Sequence, residues 1–232
     1  GRLILAGQLL MIAASQATAP QLTASFAAGR NDEARDLLRT VSGWNVTLLW
    51  PVFICLGFGA TTALSFFGPG FTDGSSLVVV LSVAMLVIVA IGGGDTVLTS
   101  TGASLASLVN HVAALAVMVG ASLVLLPAVG LVGAAVAWAL SRITLRGLAT
   151  VQVWRIRRVH ALGRPVLLAA TASAVAYGPV GVAVTVALDP GPLALGTNVV
   201  VGGILHLGIL TRLRTELDLD RFLTVFARRA RA

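Results

Sequence analysis

The sequence predicts an all-α, polytopic membrane helix bundle of about seven transmembrane helices, and three observations predict it. Of 232 residues, 57% are apolar and only 11% are charged, with a mean hydropathy of +0.95, whereas soluble domains carry about 25% charged residues. A water-soluble fold of this composition would expose apolar patches large enough to aggregate. Apolar runs close to the roughly 20 residues needed to cross a hydrocarbon core about 30 Å thick recur along the whole chain. The cationic residues fall on one side of that series of runs. Lipid offers the backbone no hydrogen-bond partner, so runs this long are helices, and the two-residue alternation of a membrane barrel is absent.

The seven runs cover residues 3–18, 44–67, 77–98, 105–126, 131–151, 166–188 and 193–210. They divide the chain into five spans over 1–151, a basic loop at 152–165, two spans over 166–210 and a basic tail over 211–232. In that tail Leu213, Leu217, Phe222, Leu223 and Phe226 recur at helical spacing among arginines and acids. This pattern suits a helix lying in the membrane interface, and equally a solvated basic tail. All 16 basic residues are arginine. Seven antiparallel spans place 15 of those 16 on one side, leaving the gaps 68–76, 127–130 and 189–192 without any. The positive-inside rule makes that side, and the C-terminus, cytoplasmic. The first span must then begin outside, although the chain opens at Gly1 without an initiator Met. We therefore expect a fragment whose N-terminal spans are missing.

Net charge +7 does not read as a nucleic-acid footprint, because no aromatic stacking platform is interleaved with the arginines. Cys55 is the only cysteine, so neither a disulfide framework nor a cysteine metal site can be built. His111, His160 and His206 are scattered, and paired carboxylates at catalytic spacing are absent, so an enzyme is not expected and neither is a cofactor or a metal. Gly92, Gly93 and Gly94 interrupt a hydrophobic helix near its cytoplasmic end and permit bending or close helix approach. Asp95 follows directly, either capping a helix end or serving as an ion-coupling residue. Pro51 and Pro179 sit inside spans and remove backbone bonds, which makes them candidate hinges with the glycines. Arg2 is the one arginine off the cytoplasmic side, with Gln8 about two turns deeper. Its planar donors suit a diphosphate in a water-filled cavity, or it snorkels from a helix end. Asn110 and His111 either line the same cavity or form interhelical hydrogen bonds. Trp44, Trp50, Trp138 and Trp154 lie near span ends, as interfacial anchors do.

Four stretches resemble one family of transporters. Pro20-Gln-Leu-Thr-Ala-Ser followed by Ala28-Gly-Arg-Asn-Asp-Glu-Ala-Arg-Asp-Leu-Leu-Arg39 resembles a P-x-L-S, G-D-x-E-x-x-R-x-L-L signature. Phe66-Phe-Gly-Pro-Gly-Phe71 resembles L-F-G-x-x-F before a span. Leu123-Val-Leu-Leu-Pro-Ala-Val-Gly-Leu-Val-Gly-Ala-Ala-Val-Ala137 resembles L-x-x-L-I-P-x-x-G-x-x-G-A-A-I-A, with Thr101-Gly102 at the spacing of the preceding x-T-G turn. In this order, over residues 1–145, they are similar to the polysaccharide-biosynthesis flippases, of O-antigen or lipid II type, of the multidrug/oligosaccharidyl-lipid/polysaccharide flippase superfamily. An Asn frequent before the L-I-P segment in that family is absent here, where Gly120, Ala121 and Ser122 stand.

The resemblance implies two six-helix lobes around a central cavity, this chain being the second lobe without its first helix, plus two C-terminal helices. It implies a bacterial cytoplasmic membrane protein that carries a polyprenyl-diphosphate-linked sugar by alternating access. Arg2 stands about where lipid II flippases place a cavity arginine, so it would neutralise phosphate. Gln8, Asn110 and His111 would hydrogen-bond sugar, and Asp95 would couple an ion. The expected partners are the lipid-linked substrate, membrane lipids and an N-terminal lobe in the same or another chain, with no nucleic acid. Two other readings stay open: a drug or cation exporter of the same superfamily, and a non-transporting membrane scaffold or decayed half-protein.

Overall fold

The computed structural model describes residues 24–26, 28–100, 102–159 and 161–217. The first predicted span, with Arg2 and Gln8, lies outside them, as do His160, Thr101 and the tail beyond residue 217. The described residues are helical, without a strand. They form α1 (Asn31–Phe58), α2 (Ala60–Ser65), a 3-10 segment (Pro69–Gly74), α3 (Ser75–Ile91), α4 (Gly94–Ser100), α5 (Ser104–Val129), α6 (Leu131–Arg157), α7 (Arg164–Ala187) and α8 (Pro192–Arg212). Six helices, α1, α3, α5, α6, α7 and α8, are long and apolar enough to cross a membrane, the second of these spans being extended back to Gly70.

Long helices consecutive in the chain run in opposite directions, and they pack in the spatial order α8, α7, α1, α3, α6, α5, with α4 wedged against α5 and α6. The outward faces are apolar: Leu105, Leu115, Leu123 and Val124 of α5 are each at least 60% exposed, and only Ser107, Asn110 and Ala114 of that helix are buried. A helix that is apolar all round and exposed on most of its surface has lipid, or other protein, as its solvent. Lipid gives little hydrophobic drive for helices to meet, so small residues make the contacts instead. Ala169, Ala172, Ser173 and Ala176 of α7 are all 4% exposed or less, and they line its approach to α1.

The element boundaries depart from the sequence expectation at α1 and at the basic loop. The helix predicted over 44–67 begins thirteen residues earlier, because Asp32 and Glu33 favour a helix N-terminus and Ala34, Leu38 and Val41 bury one stripe of the added turns. It ends at Gly59, before the short α2 and the Phe66–Phe71 stretch. Phe66, Phe67 and Phe71 project there, 69%, 65% and 58% exposed, as an aromatic belt would. The basic loop is also shorter than 152–165, since α6 continues to Arg157 and α7 begins at Arg164.

One end of the bundle collects the cations. Gly43 of α1 packs on Pro165, and Gly163 lies against the Arg39 side chain. Arg164 pairs with Glu216 at 3.0 Å. These contacts gather the start of α1, the end of α6, the start of α7 and the end of α8, which carry Arg30, Arg35, Arg39, Arg155, Arg158, Arg164, Arg212 and Arg214. Among the described residues, no arginine lies at the opposite end. The chain after α8 folds back here: Leu217 is buried and its carbonyl accepts from Trp44 Nε1 at 2.9 Å. Trp44 is therefore an interhelix clamp and not an interfacial anchor. Trp50 is another, donating to the Leu86 carbonyl at 3.1 Å across α1 and α3. Trp138 and Trp154 lie beneath the guanidinium groups of Arg142 and Arg158. The Arg164–Glu216 pair is 74% and 41% exposed. Screening by water leaves such a pair worth less than about 1 kcal/mol, so Glu216→Gln should leave thermal stability in detergent nearly unchanged.

Candidate functional site

The glycine run divides one predicted span into two helices. α3 ends at Ile91, Gly92 takes φ +85°, and α4 restarts at Gly94. Only glycine fits the first position: its conformation is left-handed, and an added Cβ would lie 2.5 Å from Ala161 Cβ and 3.0 Å from Ser42 Oγ. At Gly94 an added Cβ would press on the α6 backbone, 3.0 Å from the Thr150 nitrogen. These close approaches seat α4 in a core formed by Phe26, Ala34, Leu38, Ala149, Val153, Val159 and Ala161, where Val97 and Leu98 are 0% and 1% exposed.

A helix break leaves carbonyls unsatisfied on one side and N–H groups on the other. The sequence supplies a charge of the right sign to each. Arg146, projecting from α6, donates to the Gly92 carbonyl at 3.3 Å, a cation at a helix C-terminus. Asp95 lies in the first turn of α4, an acid at a helix start, and accepts from Ser107 Oγ of α5 at 2.9 Å. Asp95 and Arg146 also attract one another electrostatically. The break is thus held by side chains from α5 and α6.

The polar residues of α5 continue this network. Asn110, 0% exposed, makes two reciprocal amide bonds with Gln152 of α6, at 2.9 and 2.8 Å. One turn further, Ser141 of α6 donates to the Ala114 carbonyl at 2.7 Å. His111 is exposed, its Nδ1 2.8 Å from the Ser107 carbonyl. Of the residues singled out from sequence, Gly92, Gly94, Asp95, Asn110 and His111 therefore come together, while Pro51 and Pro179 lie apart in α1 and α7. Gly93 joins the two helices at the break. Ser107, Arg146 and Gln152 were missed. The spacing of Ser107, Asn110 and His111, three and four residues apart, was the available signal that they share one helix face.

The Asn110–Gln152 pair gives a direct test of its worth. Asn110→Leu or Gln152→Leu alone strands a buried amide and should cost about 1–3 kcal/mol, while the double substitution should cost clearly less than the sum. A double-mutant cycle of thermal unfolding in detergent measures this.

Fold and site together define a class, an all-α, multi-pass membrane protein with an interrupted helix braced by opposite charges. No protein-family model, no curated protein and no solved structure matches the chain.

Proposed function

We propose that this chain is part of a flippase, its second lobe with two additional C-terminal helices, that moves a polyprenyl-diphosphate-linked sugar across the bacterial cytoplasmic membrane for surface-polysaccharide or envelope synthesis. The observation that carries the reading is the interrupted helix α3–α4, with Asp95 and Arg146 at its break. Discontinuous helices with charged groups at the broken ends are the elements around which alternating-access carriers bind and rock. A continuous inert bundle has no use for them. A diphosphate head cannot cross hydrocarbon unshielded, so its carrier must supply a polar path between lobes. In this reading Arg2 neutralises the diphosphate, Gln8 and His111 face the sugar, and Asp95 couples an ion, while Asn110, buried in its amide pair with Gln152, is a helix-packing residue and not a sugar ligand. The glycine break, Pro51 and Pro179 are hinges. The concentration of arginine at one end supports a cytoplasmic C-terminus.

The motifs over residues 20–39, 66–71 and 123–137 support the same family reading. Their counterparts in the structure are the charged start of α1, the aromatic link between α2 and α3, and the tight α5–α6 turn at Gly130. The test is genetic. The gene that encodes this chain should restore surface polysaccharide to a bacterium lacking its own lipid-linked-sugar flippase, and Asp95→Asn should impair that restoration. Failure of the unmodified gene, with the protein detected in the membrane, would overturn the proposal.

A further inference from the structure

The last three turns of α6 have two faces. On one, Ala149 and Val153 are buried in a core with Ala34 and Leu38 of α1. On the other, Gly147, Leu148, Val151, Trp154, Arg155 and Arg158 recur at intervals of three and four residues, so they share one side of the helix. Leu148, Val151 and Trp154 are 36%, 46% and 45% exposed, and both arginines are exposed. An added Cβ on Gly147 would meet nothing within 4 Å, so the surface is open there. The stripe therefore faces out of the bundle. It is apolar toward the middle of the helix, aromatic next, and cationic at the arginine-rich end.

Arg158 ends the helix in an unusual conformation. Its φ is +57°, the one left-handed non-glycine conformation among the described residues, at a helix end where glycine or asparagine is usual. Strained positions of this kind cluster at binding sites. From there its guanidinium carbon lies 5.0 Å from the centre of the Trp154 ring. The indole holds the guanidinium by its face and leaves the planar donors for an acceptor. Arg155 is next to Trp154 in the chain, so the two cations flank one aromatic ring.

The surroundings do not neutralise this pair. α5 and α6 contain no Asp or Glu. Asp32 is paired with Arg35, Glu33 with Arg30 and Glu216 with Arg164, while Asp95 accepts from Ser107. Among the described residues, neither the Arg155 nor the Arg158 side chain makes an ion pair or a hydrogen bond. The end of α6 attracts cations into its last turn, but it leaves their donors unused.

We infer that this stripe binds one anionic glycerophospholipid, its phosphodiester held by Arg155 and Arg158 beside Trp154 and an acyl chain lying along Val151 and Leu148 into the gap at Gly147. Charge complementarity selects the class. A phosphodiester presents two oxygens to planar fork-like donors. Indole rings sit at headgroup depth, and the apolar residues continue from there toward the hydrocarbon. A zwitterionic lipid offers the same phosphate but carries an ammonium beside it, which two arginines repel. Basic groups at the membrane end of a helix hold anionic headgroups in this way. The site lies on the side of α6 away from the core that seats α4, and it does not depend on the identity of any transported substrate.

The test uses the full chain in detergent, offered equal amounts of dioleoylphosphatidylglycerol and dioleoylphosphatidylcholine, with retained lipid counted by native mass spectrometry. The first lipid bound should be phosphatidylglycerol. Arg155→Gln with Arg158→Gln should weaken its retention about thirtyfold, the factor equivalent to about 1 kcal/mol for each of two arginines. Arg30→Gln with Arg212→Gln removes the same charge from the same end and should leave the preference in place. No preference in the unmodified chain, or an equal loss in both double variants, overturns the site. Glycerophosphoglycerol, the same headgroup without chains, should not displace the lipid even in large excess. Displacement would overturn the lipid assignment in favour of a free phosphate ester. If the Arg155 and Arg158 variant does not fold, phosphatidylglycerol with a photoactivatable acyl chain decides on the unmodified protein. Labelling concentrated at residues 147–151 supports the site, and labelling spread over the helices overturns it.

Discussion

Gly92→Val should destabilise the protein by about 2–5 kcal/mol and displace α4, the largest stability effect expected of any single substitution around the break. Two costs add. A β-branched residue held at φ +85° costs about 1–2 kcal/mol or more. Its side chain must also occupy space already taken, because even a Cβ would sit 2.5 Å from Ala161 Cβ. Overpacking of that kind costs about 1–3 kcal/mol further. Gly92→Ala shares both terms at smaller size. Gly94→Ala shares only the crowding, against the α6 backbone, and should fall below both. Thermal unfolding in detergent, followed by helical circular dichroism, ranks the three. An order with Gly94→Ala as the most damaging would show that the backbone conformation at Gly92 is not what fixes the break.

Removing Arg146 is the second large effect. Arg146→Leu takes away the donor to the Gly92 carbonyl and the cation facing Asp95, and should cost about 2–3 kcal/mol. Arg146→Lys keeps a charge but not the planar reach, and should recover only part of that. Asp95→Asn keeps the shape and the bond from Ser107 while losing the charge, so its stability cost should be small. If Asp95 carries ion coupling, its transport rate should nevertheless fall at least about tenfold, equivalent to about 1.4 kcal/mol in barrier. A loss of rate without a loss of stability separates coupling from bracing. Equal losses in both would reduce Asp95 to a bracing residue.

The membrane class was legible because it rests on composition and run length, which tertiary packing does not alter. Six of the seven runs correspond to long apolar helices, and the seventh lies outside the described residues. Boundaries were less legible. A hydropathy reading starts α1 at residue 44, since Arg35, Asp36 and Arg39 look like loop, yet Ala34 and Leu38 find a core in α4 and α6 that lies far away in sequence. The glycine break was visible as three consecutive residues without side chains. What braces it was not, because Arg146 lies 54 residues from Gly92 and in sequence looks like one more cation near a span end. The same holds for His206, whose Thr47 partner lies 159 residues away. Pro51 advertises an unsatisfied carbonyl on Thr47, but only the fold says which donor arrives.

Lipid transfer itself tests the flippase reading most directly. The gene product that carries this chain would be reconstituted into liposomes containing a fluorescent polyprenyl-diphosphate sugar, and the fraction protected from a membrane-impermeant quencher followed over time. A flippase gives progressive loss of the protected fraction, much faster than protein-free liposomes, and slower again with Asp95→Asn. A protected fraction that stays at the protein-free level, with the helical protein verified in the same vesicles, contradicts it.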